Sequence, residues 1–147
     1  MFAKWPTTRY NSFQMKRLNI LHIEDEPNHQ LLAEVNLLGA DFDYQLDAVT
    51  TRQAGLEILD EIGRGEQEPY DVYLLDANQE TPGKTGEDGR AFVERKRELN
   101  LGGFVIGVSA ERMDYYGIEV DYDLGKQKWA ELGDVLGQLA VQDSDAA

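Results

Sequence analysis

Ile20-Leu21-His22-Ile23-Glu24-Asp25-Glu26-Pro27 is an apolar run too short for a helix, ending on three consecutive carboxylates and a proline suited to a helix start. Three other pieces have the same form: Val72-Tyr73-Leu74-Leu75-Asp76-Ala77-Asn78, Phe104-Val105-Ile106-Gly107-Val108-Ser109-Ala110 and Leu124-Gly125-Lys126. Each is a hydrophobic run, or the end of one, that stops at a polar or charged residue. Helical patterns lie between them. Leu31, Leu32, Val35 and Leu38 recur at helical spacing before Gly39, and Ala54 to Ile62 and Phe92 to Leu99 do the same. Tyr44 to Val49 alternates apolar and polar residues, as a half-exposed edge strand does. A brief helix near 110–115, a strand near 118–124 and a last helix from about Lys128 to Leu139 complete the alternation.

Five β/α units in sequence predict an α/β domain, a doubly wound five-stranded parallel sheet with helices on both faces. In the flavodoxin-like strand order 2-1-3-4-5, strands 1 and 3 are neighbours where the winding reverses, and ligands bind at the carboxyl edge there. Glu24, Asp25, Asp76, Ser109 and Lys126 would all emerge at that edge.

The composition narrows the function classes. The chain has 147 residues, one ordinary domain, and no cysteine, which excludes disulfide and thiolate chemistry. No apolar stretch is long enough to span a bilayer, so no membrane insertion is expected and a cytoplasmic location is the default reading. The formal charge is -14. Lys4, Arg9, Lys16 and Arg17 stand in a segment without acids, leaving 10 basic against 28 acidic residues in the rest. A surface that negative repels phosphate backbones, so direct binding to nucleic acid is not expected. Residues 1–16 read as an N-terminal extension outside the core, a leader upstream of the strand that follows Met15-Lys16-Arg17, or else a docking arm built on Trp5, Tyr10 and Phe13. Residues 17–140 read as the folded domain and 141–147 as an acidic tail.

Three carboxylates in one crevice repel one another unless a cation intervenes. An all-oxygen site suits a hard divalent ion, Mg²⁺ in particular. Glu24 and Asp25 are placed to hold the ion, and Asn78, two residues beyond Asp76, can offer its backbone carbonyl. A carboxylate beside a bound cation can attack a phosphoryl group and form an aspartyl phosphate. Asp76, alone at the end of the most apolar central run, is the candidate nucleophile. Lys126 and the Ser109 hydroxyl can reach the phosphoryl oxygens. Taken singly these residues have bland readings: Asp25, Asp76 and Ser109 as helix caps, Lys126 as a solvated lysine. His22 reads as a packed strand residue and His29 as a surface helix residue. Neither has a second histidine at ligand spacing, which argues against zinc.

The Ile-Glu-Asp-Glu-Pro string, Asp76, Ser109-Ala110 and Lys126 together resemble the response-regulator receiver domain of two-component signalling, over about Arg17 to Leu139. The resemblance implies a stand-alone receiver and not an enzyme. It would take phosphate on Asp76 with Mg²⁺ (or Mn²⁺), from a histidine kinase, a histidine phosphotransfer protein or a small donor, and lose it by self-dephosphorylation. It would act on an unidentified downstream protein. Asp25 falls in the direct metal-ligand place and Ser109 on the switch hydroxyl. The sequence departs from the family in four places. Extra residues from Gln79 to Gly89 follow Asp76, and the stretch before Lys126 is short, implying a reduced fourth helix. Gln127 replaces the usual proline, and Asp123 stands where an aromatic switch residue is common. Two other readings stand beside this one: a receiver-like interaction module that is not phosphorylated, and an aspartate-nucleophile phosphatase. The phosphatase would want an Asp where Asn78 stands.

Overall fold

The computed structural model describes residues 17–79 and 85–146. The elements run β1 (Leu18–Ile23), α1 (Pro27–Leu37), β2 (Tyr44–Val49), α2 (Arg52–Gly63), β3 (Val72–Leu75), α3 (Glu87–Glu98), β4 (Phe104–Gly107), β5 (Tyr122–Asp123) and α4 (Leu132–Ala146). Two 3₁₀ turns, Met113–Tyr116 and Lys126–Glu131, flank β5. All pairings are parallel and the strand order is β2-β1-β3-β4-β5, the order expected of a flavodoxin-like doubly wound sheet.

The two faces of the sheet carry separate cores. Leu18 and Ile20 of β1 pack with Leu74 and Ile106 against Ala33, Leu37, Trp129, Leu132 and Leu136. Leu21 and Ile23 point the other way, with Tyr73, Leu75 and Val105, against Leu59, Phe92 and Val93. Side chains alternate across a strand, so one short apolar run serves both layers. β2 lies at an edge, and its side chains are half-buried or exposed, as its alternation predicts.

Four local expectations change. The apolar residues picked out by spacing in and just after α1 do not face the core: Leu31, Leu32, Val35 and Leu38 are exposed, and Ala33 and Leu37 are buried in their place. The rotation of the helix is set at its start, where the Gln30 amide donates to the Glu24 carbonyl at 2.7 Å and His29 lies against the Glu24 carboxylate. Residues 29, 30, 33 and 37 then share the inward arc, and the leucine stripe is left outside. The helix expected near 110–115 is one 3₁₀ turn. The last strand shrinks to two residues, and carboxylates on either side extend its grip: Asp121 accepts from Val105 N–H and Asp123 from Met113 N–H, each at 2.7 Å. The last helix begins at Leu132 and its backbone continues to Ala146.

Candidate functional site

At the carboxyl edge of β1, Glu24 is fully buried and Asp25 half-buried, and across from them Asp76 leaves β3 at 5 % exposure. Carboxylate oxygens of the three lie within 4.8 Å of one another. Lys126, just beyond β5, puts Nζ 3.1 Å from Asp76 Oδ2 and 3.2 Å from Glu24 Oε1. Ser109, two residues after β4, donates its hydroxyl to Asp76 Oδ1 at 2.8 Å and accepts the Ala77 N–H. Four strands that are distant in sequence thus deliver the five expected side chains to one crevice.

The electrostatics follow from burial. Loss of water and the neighbouring Asp76 charge hold the Glu24 carboxyl above its usual range, while Lys126 and the Glu26 N–H pull the other way. His22, the next inward-facing residue of β1, is driven down to about 3 by burial and by Lys126. It packs edge-on against Trp129 as a neutral ring. His29 is not simply a surface residue: its Nδ1 lies 3.5 Å from Glu24 Oε2, and burial lowers its pKa.

Around Asp76 the chain is tied by contacts that no local pattern announces. Asn78 Oδ1 accepts the Gly86 N–H at 2.7 Å, Gln79 N–H donates to Asp88 at 2.7 Å, and the Gln79 side chain donates to the Asp76 carbonyl at 2.6 Å. Gly89 N–H donates to the Ala77 carbonyl at 2.9 Å, an approach a side chain would block, since a Cβ there would sit 2.9 Å from Ala77 Cα. The neck of the inserted loop is therefore fastened at both ends; residues 80–84 of the loop lie outside the described residues. Asp88 is buried, and Arg52 approaches it at 3.6 Å while binding Glu87 at 2.8 Å. Arg52, Gln79 and Asp88 escaped the sequence reading because the Gln79–Asp88 tie follows no helical or strand spacing and Arg52 reaches Glu87 and Asp88 from 35 and 36 residues away. Asp123, in the place of the aromatic switch, caps the turn at Met113. The Lys126–Gln127 peptide bond is trans.

An all-oxygen trio of this spacing, with one carboxyl raised by burial and by the neighbouring Asp76 charge, fits a hard divalent ion. Structures similar to this one include the signal receiver domain of a protein described as a Luxo repressor from Vibrio parahaemolyticus. That match has a TM-score of 0.61 and 17% identity, over 88% of this chain and 94% of the other. The receiver domain of the Arabidopsis thaliana histidine kinase CKI1, complexed with Mg²⁺, matches with a TM-score of 0.59 and 14% identity, over 86% and 95%. The Mn²⁺-bound response regulator Rcp1 matches with a TM-score of 0.61 and 17% identity, over 84% and 94%. The chain has the receiver fold. No family model and no curated protein matches it. In this receiver fold the acidic trio, Ser109 and Lys126 occupy the carboxyl edge where β1 and β3 adjoin. Among the described residues no helix is long and apolar enough to cross a membrane.

Proposed function

We propose that this chain is a phosphorylation-controlled receiver that accepts a phosphoryl group on Asp76 from a histidine kinase or a histidine phosphotransfer protein. Residues 17–140 form the receiver, with 1–16 outside it and 141–147 a C-terminal tail whose backbone continues α4 as far as Ala146. The protein works in the cytoplasm and signals through protein contacts. One observation carries the reading: the two oxygens of Asp76 are held separately, Oδ1 by the Ser109 hydroxyl and Oδ2 by the Lys126 ammonium, beside two further carboxylates. The fold shared with receiver domains of kinases and response regulators supports it.

Asp76, Glu24, Asp25 and the backbone carbonyl of Asn78 would hold Mg²⁺ or Mn²⁺, which supplies positive charge against the phosphoryl oxygens. An Asp76 oxygen attacks phosphorus, the P–N bond of the phosphohistidine breaks, and its electron pair stays on the imidazole, which is left neutral or takes up a proton. The product is an acyl phosphate on Asp76. Ser109 and Lys126, already on this carboxylate, need only small shifts to meet the phosphoryl oxygens. Before any phosphorylation the Ser109 hydroxyl already lies on the Asp76 carboxylate. Attack of water on phosphorus returns the carboxylate and releases phosphate. A phosphatase reading loses support at Asn78, where the amide cannot protonate a leaving group and its oxygen is taken by Gly86.

Incubation with acetyl phosphate and Mg²⁺, read by intact mass, tests the proposal. One added phosphoryl group, absent in Asp76→Asn, is expected. No addition in the parent chain overturns it in favour of an unphosphorylated interaction module.

A further inference from the structure

The exposed stripe of α1 is a feature the phosphoacceptor site does not use. Leu31, Leu32, Val35 and Leu38 are 55%, 40%, 51% and 73% exposed, and Val141 of α4 is 38% exposed. A contiguous apolar face of this kind is what a contact surface looks like. At its far end the stripe runs into an open groove between the α1–β2 turn and α4, lined by Leu38, Phe42, Gly137 and Val141 with Asp41 and Asp134 on its banks. The surroundings are one-sided in charge: residues 27–51 and 129–147 contain no lysine or arginine, and Glu34, Asp41, Asp43 and Asp134 are exposed there.

The N-terminal segment has the complementary composition. Residues 1–16 hold Phe2, Trp5, Tyr10 and Phe13 with Lys4, Arg9 and Lys16, and no acid. It joins the fold beside this surface, because Leu18 N–H donates to the Asp43 carbonyl at 3.0 Å and Phe42 already lines the groove. Its 16 residues could extend about 50 Å, and α1, at 11 residues, is about 16 Å long. Length, attachment and charge all suit the same surface.

We propose that the aromatic, basic segment 1–16 of this chain docks on the leucine–valine stripe of α1 and its adjoining groove. The aromatic rings cover the stripe and the cations meet the carboxylates around it. This contact is independent of the chemistry at Asp76 and of whether that residue is phosphorylated.

The chain has two tryptophans, Trp5 and the core residue Trp129, which is 5% exposed. Comparing the parent with Trp5→Phe therefore isolates the emission of Trp5. In the parent that emission should be blue-shifted and quenched by acrylamide at least about threefold less than free indole. The double variant Leu31→Glu, Val35→Glu changes only exposed positions. With circular dichroism confirming its fold, it should return Trp5 to the free rate. Lys4→Glu with Arg9→Glu, which leaves the folded domain untouched, should weaken the protection as well. Free-rate quenching in the parent overturns the proposal, as does protection retained in both variants. So does protection seen only at concentrations where light scattering reports a dimer, which would assign the stripe to a second copy.

Discussion

Removing the ammonium from the carboxylate cluster is the sharpest test of the site's electrostatics. Lys126 Nζ is within 3.2 Å of both Glu24 and Asp76, and three carboxylates meet within 4.8 Å. Lys126→Met keeps the aliphatic stem and deletes the charge. Breaking a buried ion cluster by removing one partner costs about 3–5 kcal/mol. Glu24, already held above its usual range, can take up a proton and relieve part of the strain, so the low end, about 3 kcal/mol, is the expected loss. For a chain of this size 1 kcal/mol moves Tm by about 2–4 °C, so the metal-free variant should melt about 6–12 °C below the parent. Mg²⁺ returns positive charge to the same crevice and should raise the variant's Tm by more than it raises the parent's. Phosphorylation by acetyl phosphate should stay slow in the rescued variant, because no ammonium reaches the phosphoryl oxygens. The measurement is thermal unfolding by circular dichroism near neutral pH, in chelator and then in excess Mg²⁺. A metal-free Lys126→Met chain melting with the parent would show that the lysine does not offset these carboxylates.

The other predictions concern residues around the same frame. Asp25→Ala should abolish most of the Mg²⁺-induced rise in Tm while leaving the metal-free chain at least as stable, since one repelling charge is gone; an unchanged Mg²⁺ response refutes the assignment. Ser109→Ala strips the Ala77 N–H and Asp76 of a buried partner and should cost about 1–3 kcal/mol in denaturant unfolding as well as slow phosphorylation. Gly89→Ala pushes a Cβ against Ala77 and Ile118 and should cost about 1–3 kcal/mol, with a lower phosphorylation rate because Ala77 adjoins Asp76. Burial and a 2.6 Å hydrogen bond to Asp47 raise the Tyr70 phenol well above 10.0, so its contribution is intact below pH 10 and falls as pH rises beyond it, by about 1.4 kcal/mol per pH unit. Tyr70→Phe should flatten that alkaline limb in unfolding titrations. A chain beginning at Met15 should fold and accept phosphate, which intact mass and circular dichroism would show.

The sequence by itself determined the strands, their sheet and which side chains gather at its carboxyl edge. Each run of apolar residues ends on the polar group it delivers, and a parallel sheet brings all such ends to one edge. Glu24, Asp25, Asp76, Ser109 and Lys126 were legible for that reason: strand direction alone sets where they go. The choice of α1's buried face was not legible. Four large apolar residues at helical spacing point to a core face, yet the helix is rotated by Gln30 and His29 reaching back to Glu24, and such a contact has no period. The same holds for Asp121 and Asp123, whose carboxylates accept the N–H groups of Val105 and Met113, and for the Gln79–Asp88 tie beneath the inserted loop. Periodicity reports what a segment could bury, whereas a single hydrogen bond to a group 6 to 16 residues away, outside any repeat, decides which way it turns. Only the tertiary structure closes those bonds.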